Sequence, residues 1–296
     1  MKDDLENMLQ QQAGSAVGNV ELVHPLGAIA LALLCAMALL LPRRLSTLPL
    51  VLLLCFVPSG QRVIVFTLDF SFLRILLFVV WTRRLLRGEL RPLRWNATDC
   101  WMLLWAVTVV ITGTLQQGTA NAFLNRTGYA LDAMLVYLWI RQHVRSHVET
   151  SAIAGQFLAV SPLVLALMLL EHTTGRNVLH MFGGVPELAD LRDGRLRCQG
   201  AFAHPIIAGC FFACLIPLYA IRGMQRGRWT AVALGCLVAV AIIGLTASST
   251  PAAALVFLAF GAVCYAIRGA LVYLRWLALL ALVALHFLRK IGRAHV

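Results

Sequence analysis

The sequence predicts an all-α polytopic membrane protein with about ten transmembrane helices and one medium-sized loop on the outer side. The chain has 296 residues, of which 60% are hydrophobic and only 13% are charged, whereas soluble domains are roughly 45–50% apolar and about 25% charged. Apolar runs of about 20 residues, long enough to span a bilayer, recur from Leu26 almost to the end. A soluble fold could not bury this much apolar surface, so the membrane class follows.

The positions of the helices follow from these apolar runs and the polar breaks between them. We predict helices at residues 24–42, 46–58, 63–82, 97–115, 123–140, 151–170, 200–221, 229–245, 251–267 and 270–288. The second helix is short, and we expect it to pair with the third as a re-entrant unit around Pro58-Ser59-Gly60. The chain then divides into a polar N-terminal segment, 1–23, and a transmembrane helical domain, 24–289.

The last seven residues, 290–296, are expected to be a sequencing-adapter artefact. They read Lys-Ile-Gly-Arg-Ala-His-Val, which is the translation of AAG ATC GGA AGA GCA CAC GTC, the start of a common sequencing-library adapter. Such a scar is excluded from reasoning about the fold. A native basic tail is the alternative. Under the adapter interpretation the chain is a fragment, and the transmembrane domain is incomplete after Arg289.

The arginines predict the orientation in the membrane. Alternate connections carry most of them: Arg43, Arg44, Arg83, Arg84, Arg87, Arg91, Arg94, Arg141, Arg145, Arg222, Arg226, Arg228 and Arg268. The positive-inside rule makes that side cytoplasmic. The N-terminus is then outside, and the one medium loop, residues 171–198, is periplasmic. A re-entrant or additional early helix would reverse the N-terminal end without changing the later topology. That loop nevertheless contains arginines, which orientation does not explain, so it is the natural place to look for a functional site.

Charge and cysteine content exclude two kinds of partner. The formal net charge of +12 is not accompanied by a basic tract with interleaved aromatic residues, so we expect no nucleic acid partner and interpret the arginines as membrane-edge residues. The cysteines lie almost all within apolar runs and form no CxxC pair. They are expected to pack as small hydrophobic residues, with no metal and no other cofactor.

The most informative stretch is residues 195–222, "RLRCQGAFAHPIIAGCFFACLIPLYAIR". Arg197 lies at the membrane edge, Gly200 follows, and His204-Pro205 precedes a helix. Free N–H groups at a helix start favour an anion, a glycine lets a phosphate approach the backbone, and an arginine can bind it bidentately. The sequence therefore indicates an anionic head-group site at Arg197, Gly200 and His204. A membrane-edge arginine beside a helix-capping His-Pro explains the same residues equally well.

Further ionisable and hydroxyl side chains each have two interpretations. Arg126, at the outer edge of the fifth helix, is a second phosphate contact or a membrane anchor, and Arg195 is a further candidate within the loop. Ser248 and Ser249 bind sugar or phosphate, or cap the ninth helix, which is the favoured interpretation. Arg74 lies in an apolar run. It is expected to pair with Asp132, in preference to contacting substrate, because isolated charges in membranes are costly.

The pattern R-x-x-G-x-F-x-H-P-I-x-x-G, from Arg197 to Gly209, resembles the signature of the O-antigen ligase and O-antigen polymerase family. These are bacterial inner-membrane glycosyltransferases of the GT-C type. The segment "TASSTPAAAL", 246–255, resembles the family's Ser-rich periplasmic turn. "FLRILLFVVWTRRLLRGE", 72–89, resembles its third helix, and "RWNATDCWMLLW" and "NRTGYALDAMLVYLWIR" resemble the two helices that follow. The resemblance covers residues 60–285 in outline.

The resemblance implies transfer of a glycan from undecaprenyl diphosphate on the periplasmic face. The acceptor is lipid A-core in a ligase, or another lipid-linked glycan in a polymerase. A lipid diphosphate is already a good leaving group, and arginines can stabilise its developing charge without a metal. The family's catalytic base, a histidine in a later periplasmic loop, is expected beyond residue 289, so this fragment is expected to be inactive by itself.

The alternative function is a non-catalytic membrane transporter or lipid-glycan flippase. Many transporters contain inverted repeats and broken helices. The sequence shows no internal repeat, and at most one broken segment. The arginines of the external loop also favour a site at the membrane surface over one at mid-membrane. These observations favour the enzyme.

Overall fold

The computed structural model describes residues 23–65, 68–192, 194–227, 229–270, 273, 275–277 and 280. The chain forms two compact units, 1–248 and 249–296. The described helices of the first unit are α1 (Pro25–Leu40), α2 (Leu48–Phe56), α3 (Phe72–Leu86), α4 (Ala97–Gln117), α5 (Ala120–His143), α6 (His147–Thr174), α7 (Pro205–Arg226) and α8 (Trp229–Leu245). The second unit contains α9 (Ser249–Ala266). The predicted all-α class is confirmed in outline.

Most predicted helices are found within a few residues of their expected bounds, because the sequence marks their ends chemically. Asn96 and Asp99 form a capping box at the start of α4, and Gly118 ends that helix in the left-handed conformation. Pro25 and Pro205 stand at the first positions of α1 and α7, where a missing N–H costs nothing. The predictions for 1–23, for most of 270–288 and for 290–296 lie outside the described residues.

The predicted third helix, 63–82, is wrong in its first part. In this region β1 (Arg62–Val65) and β2 (Leu68–Ser71) pair as antiparallel strands, with Arg62 opposite Ser71. The run Val63-Ile64-Val65 is β-branched and favours a strand. Ser71 then caps α3 by accepting a hydrogen bond from the Arg74 N–H at 3.2 Å. The helix therefore starts at Phe72.

Four described helices are long and apolar enough to cross a membrane by length and composition. They are Ala97–Gln117, His147–Thr174, Pro205–Met224 and Ser249–Ala266. Pro25–Leu40 and Trp229–Leu245 are apolar but shorter. At 1.5 Å per residue, α2 is only about 13 Å long and does not reach across a bilayer. This supports a membrane protein, with fewer full-length spans in the described residues than the ten predicted.

Two groups of helices build the first unit. Helices α1, α2 and α3 pack with α5 around a core that includes Leu34, Leu53, Leu76 and Trp139. Helices α6, α7 and α8 pack against one another, α4 and α5 form a helical hairpin, and α2 contacts α6. A hydrogen bond of 2.6 Å between the Ser161 and Tyr219 hydroxyls joins α6 to α7 inside the core.

The first unit has two ends that differ in charge. At the end that contains residues 39–47, 83–96 and 141–149, here the arginine end, Arg87 donates to the Leu39 carbonyl at 2.7 Å, and Arg43 lies 3.4 Å from Glu149. Helix α6 starts there and finishes at the opposite end, here the loop end, where residues 175–204 lie. The arginine-rich side and the side of the 171–198 loop, which the sequence predicts to face opposite sides of the membrane, therefore lie at opposite ends of α6.

Candidate functional site

The candidate site is the segment 195–204, which connects the loop to helix α7. Its first residues form β4 (Arg195–Arg197), paired antiparallel with β3 (Asp190–Arg192). The segment contacts the residues that follow the C-terminal end of α2: the Ser59 N–H donates to the Ala201 carbonyl at 3.0 Å. A Cβ on Gly60 would come within 2.2 Å of the Gly184 carbonyl oxygen, so only glycine permits this backbone approach.

Glu171 holds the middle of the segment in place. This carboxylate is only 1% exposed, and it accepts the N–H of Gln199 at 3.0 Å and the N–H of Gly200 at 2.9 Å. Gly200 has φ +58°, a conformation that suits glycine, and its carbonyl accepts from the Asn177 amide at 2.8 Å. The Gly200 N–H, which the sequence offered to a phosphate, is therefore already occupied by an internal carboxylate.

Arg197 is the buried cation of the loop end, with 4% of its surface exposed. Its Nη1 donates to Asp190 at 2.9 Å, and the Asp190 side chain is half-exposed. Its Nε is buried and has no hydrogen-bond partner among the described residues. A buried donor without an acceptor costs about 1–3 kcal/mol, so an acceptor bound at this nitrogen would stabilise the protein.

His204 is the N-cap of α7, as the capping interpretation expected. Its Nδ1 accepts the Ile206 N–H at 3.2 Å, and the residue is exposed. A neutral imidazole whose Nδ1 accepts carries its proton on Nε2, which leaves one donor for a ligand. Because Pro205 has no N–H and the Ile206 N–H is used, the start of α7 offers few free backbone donors. Side chains are the remaining groups for binding an anion.

The turn after α8 packs against the same segment. The Cys198 N–H donates to the Leu245 carbonyl at 3.0 Å, and Ala247 has φ +43°, which is rare for alanine. Ser248 directly precedes α9, the position of an N-cap, and Ser249 is the first residue of that helix. The contact with the 195–204 segment is made by Leu245, three residues before Ser248.

The remaining loop arginines lie at the surface. Arg195 is exposed on β4, and Arg176 forms an exposed ion pair of 3.2 Å with Glu187. Of the loop residues that the structure describes, Arg197 is the arginine that combines burial with an unpartnered nitrogen. Burial and the unpartnered Nε therefore distinguish Arg197 from Arg195.

Arg74 and Arg126 lie in the helices rather than in the segment. Arg74 forms the predicted pair with Asp132, with Nε–Oδ1 2.7 Å and Nη2–Oδ2 2.9 Å, and it joins α3 to α5. Arg126 lies against Gly113 of α4, where an added Cβ would be 2.7 Å from its Nε. In the described part of the chain no hydrogen bond or ion pair joins Arg126 to residues 195–204.

Sequence reasoning missed Glu171, Asn177 and Gln199 as components of the site. A signal for Glu171 was available, since a carboxylate at the end of a long apolar helix opposes the helix dipole and needs a partner. Gln199 is 4% exposed, and its Nε2 has no hydrogen-bond partner among the described residues. The amides carried no comparable signal, because their partners are backbone groups distant in sequence.

The donor set fits anion binding through side chains. Among the residues that the structure describes, no three His, Cys, Asp or Glu side chains are grouped so that they could hold a metal ion. Arg197 Nε and Gln199 Nε2 are buried donors without a hydrogen-bond partner among the described residues, and the His204 ring is exposed at the start of α7. Comparison of the chain with protein-family models, with curated proteins and with solved structures found no match.

Proposed function

We propose that the protein is a membrane glycosyltransferase of the O-antigen ligase or polymerase type, located in the bacterial inner membrane. It transfers a glycan from undecaprenyl diphosphate to lipid A-core or to another lipid-linked glycan on the periplasmic face. The observation that carries the proposal is Arg197, a buried arginine with an unpartnered Nε at the loop end. It lies within the pattern that resembles the signature of the family.

The chemistry of the proposed donor suits this site. A diphosphate presents several acceptor oxygens and a charge that grows as the glycosidic bond breaks, so arginine contacts become stronger in the transition state. In the proposal Arg197 contacts the diphosphate, and Gln199 and His204 donate to the phosphate or the first sugar. Glu171 binds no ligand. It fixes the backbone of Gln199 and Gly200, and so it positions the Arg197 side chain two residues earlier.

The proposed orientation agrees with the distribution of charge. The loop end lies opposite the arginine end, and the positive-inside rule assigns the arginine end to the cytoplasm. The donor site then faces the periplasm, where a lipid-linked glycan is presented. The described helices that are long enough to cross a bilayer support a membrane location, and about ten spans in the chain remain part of the proposal.

Donor binding tests the role of Arg197 without requiring turnover. The purified chain in lipid nanodiscs is titrated with glycan-linked undecaprenyl diphosphate, and the dissociation constant is compared with those of three variants. Arg197→Ala should weaken binding by roughly ten- to a hundredfold, because a hydrogen bond to a charged group contributes about 1.5–3 kcal/mol. Arg197→Lys keeps the positive charge but loses the planar guanidinium. Its dissociation constant should therefore lie between those of the wild type and Arg197→Ala.

Arg195→Ala is the matched control, because it removes an exposed arginine from the same strand. It should bind the donor within about twofold of the wild type, since exposed charges are screened by solvent. Normal binding by Arg197→Ala together with a loss in Arg195→Ala would shift the proposed motif by two residues. If Arg197→Ala and Arg195→Ala both bound the donor normally, the loop arginines would be ordinary membrane-edge residues with no role in donor binding.

A further inference from the structure

A second cationic site lies at the arginine end, away from the 195–204 segment. A cavity of about 260 Å³ is lined by Arg91, Pro92, Leu93, Arg94, Arg141, Gln142, Val144 and Arg145. We call it the arginine cavity. Its lining comes from the connection between α3 and α4 and from the connection between α5 and α6. Four guanidinium groups and no carboxylate belong to this lining in the described part of the chain.

Among the described residues, Arg141 is the arginine of the cavity lining that forms an ion pair with a carboxylate. Arg141 binds Asp99 through two hydrogen bonds of 2.5 and 2.6 Å. Arg91 and Arg94 are exposed, and neither side chain forms a hydrogen bond or an ion pair within the residues that the structure describes. Arg91 and Arg94 therefore add positive charge to the cavity that no carboxylate of the described residues pairs with directly.

Arg145 is the partly buried member of the set. Its Nη2 reaches the Glu89 carbonyl at 3.4 Å, and its Nε is buried without a hydrogen-bond partner among the described residues. Burial lowers the pKa of Arg145 below its usual value, the positive charges of Arg43 and Arg91 lower it further, and the carboxylates of Glu149 and Glu89 raise it. The pKa is lowered overall, so these two carboxylates do not fully offset the burial and the neighbouring positive charges.

The backbone around the arginine cavity is held rigidly. Gln142 accepts the Arg91 N–H at 3.2 Å and donates to the Arg91 carbonyl at 2.8 Å. Arg141 Nη2 donates to the Arg94 carbonyl at 2.7 Å. The segment 91–94 is thus fixed on the end of α5 by three hydrogen bonds, and its arginines project from a defined position rather than from a free loop.

Exposed apolar residues follow the arginine cavity in the chain. Trp95 is 67% exposed directly after Arg94, and Trp101 in α4 is 69% exposed. Tryptophan is enriched at the interface between a membrane and water. Basic pockets on the cytoplasmic side of helical membrane proteins bind the head groups of anionic lipids, so these residues indicate the depth at which a lipid phosphate lies.

We propose that the arginine cavity binds a phosphate ester through Arg91, Arg94 and Arg145, as the head group of an anionic phospholipid or as a soluble phosphate. Guanidinium groups match the geometry of phosphate oxygens bidentately. The exposed tryptophans favour the lipid as the source. This site is independent of the proposed glycan donor site, because the two lie at opposite ends of α6.

Lipid binding is measured by native mass spectrometry of the full chain in detergent with an equimolar mixture of phosphatidylglycerol and phosphatidylcholine. The wild type should retain phosphatidylglycerol preferentially. Arg91→Ala and Arg94→Ala should each weaken its binding by about tenfold. Arg44→Ala is the control, because Arg44 is an exposed arginine at the same end that does not line the cavity. It should change binding less than about twofold. The melting temperature without phosphatidylglycerol verifies that each variant is folded.

A second arm identifies the source of the phosphate. Inorganic phosphate is added without anionic lipid, and the melting temperature and the displacement of phosphatidylglycerol are followed. Retained phosphatidylglycerol that millimolar phosphate does not displace supports the lipid, whereas a phosphate-dependent rise in melting temperature, lost in Arg91→Ala, supports the soluble anion. The proposal is overturned if the wild type binds neither, if it binds both lipids equally and ignores phosphate, or if Arg44→Ala weakens binding as much as Arg91→Ala.

Discussion

At the residue scale, the loop end is organised by Glu171. Two backbone N–H groups converge on this buried carboxylate, an arrangement that resembles a binding site for an external anion but is filled from within the protein. The backbone N–H groups of Gln199 and Gly200 therefore stabilise the fold. The side chains of the segment, above all that of Arg197, are the groups left to bind a ligand.

Glu171→Gln should lower the free energy of unfolding by about 1–3 kcal/mol. The neutral amide presents an NH₂ group to one of the two backbone donors, so one hydrogen bond is lost and the other weakens. Thermal unfolding of the purified protein measures the effect. Glu187→Gln is the control, since the exposed Glu187–Arg176 pair should contribute less than about 1 kcal/mol. Equal melting temperatures for the two variants would contradict the role of Glu171.

Cys198 should be inert to thiol reagents at neutral and mildly alkaline pH. Burial raises the pKa of the Cys198 thiol to about 12, and the nearby Glu171 charge raises it too. Only the thiolate reacts, so at pH 8 about one molecule in 10⁴ is reactive, and labelling should increase with pH up to about 12. Mass spectrometry after maleimide treatment compares Cys198 with a cysteine introduced by Arg195→Cys. Equal labelling rates at pH 8 would show that Cys198 is not buried.

At the element scale, the chain shows where apolar patterning predicts structure and where it does not. Helices bounded by caps and prolines, such as α4 and α7, are found close to their predicted positions. Apolar patterning predicts helix where β1 and β2 lie, because a short continuous apolar run does not distinguish a buried strand from a helix. The motif indicated Arg197 and His204, but Glu171 acts through contacts distant in sequence that no local pattern records.

The Arg74–Asp132 pair is an ion pair between α3 and α5. Both side chains are mostly buried, at 13% and 19% exposure, and Ser71 donates a further hydrogen bond of 3.3 Å to Asp132. Arg74→Ala leaves Asp132 uncompensated and should destabilise the protein by about 3–5 kcal/mol. Thermal unfolding in detergent is the measurement.

A double substitution separates charge from packing at this link. Arg74→Met combined with Asp132→Leu removes both charges and keeps apolar volume, so it should recover most of the stability lost in Arg74→Ala, as replaced buried ion pairs commonly do. A double variant as unstable as Arg74→Ala would show that the link depends on packing and not on the uncompensated carboxylate.

At the scale of the whole molecule, the separation of charge between the two ends of the first unit predicts its orientation. A phosphatase fusion at residue 185 should be active, because the loop end is expected in the periplasm, where that reporter folds. A fluorescent-protein fusion at residue 90 should be bright, because the arginine end is expected in the cytoplasm. The reverse pattern of activities would overturn the orientation, and the proposed donor site with it.

Glycan transfer in proteoliposomes is the direct measurement of the proposed activity. The full product of the gene is reconstituted with glycan-linked undecaprenyl diphosphate and with lipid A-core or a second lipid-linked glycan, and the joined product is followed over time. We expect transfer without added metal, slowed by roughly ten- to a hundredfold in Arg197→Ala and unaffected by Arg195→Ala. Movement of the lipid-linked glycan across the bilayer with no joined product would contradict it, since that result identifies a flippase.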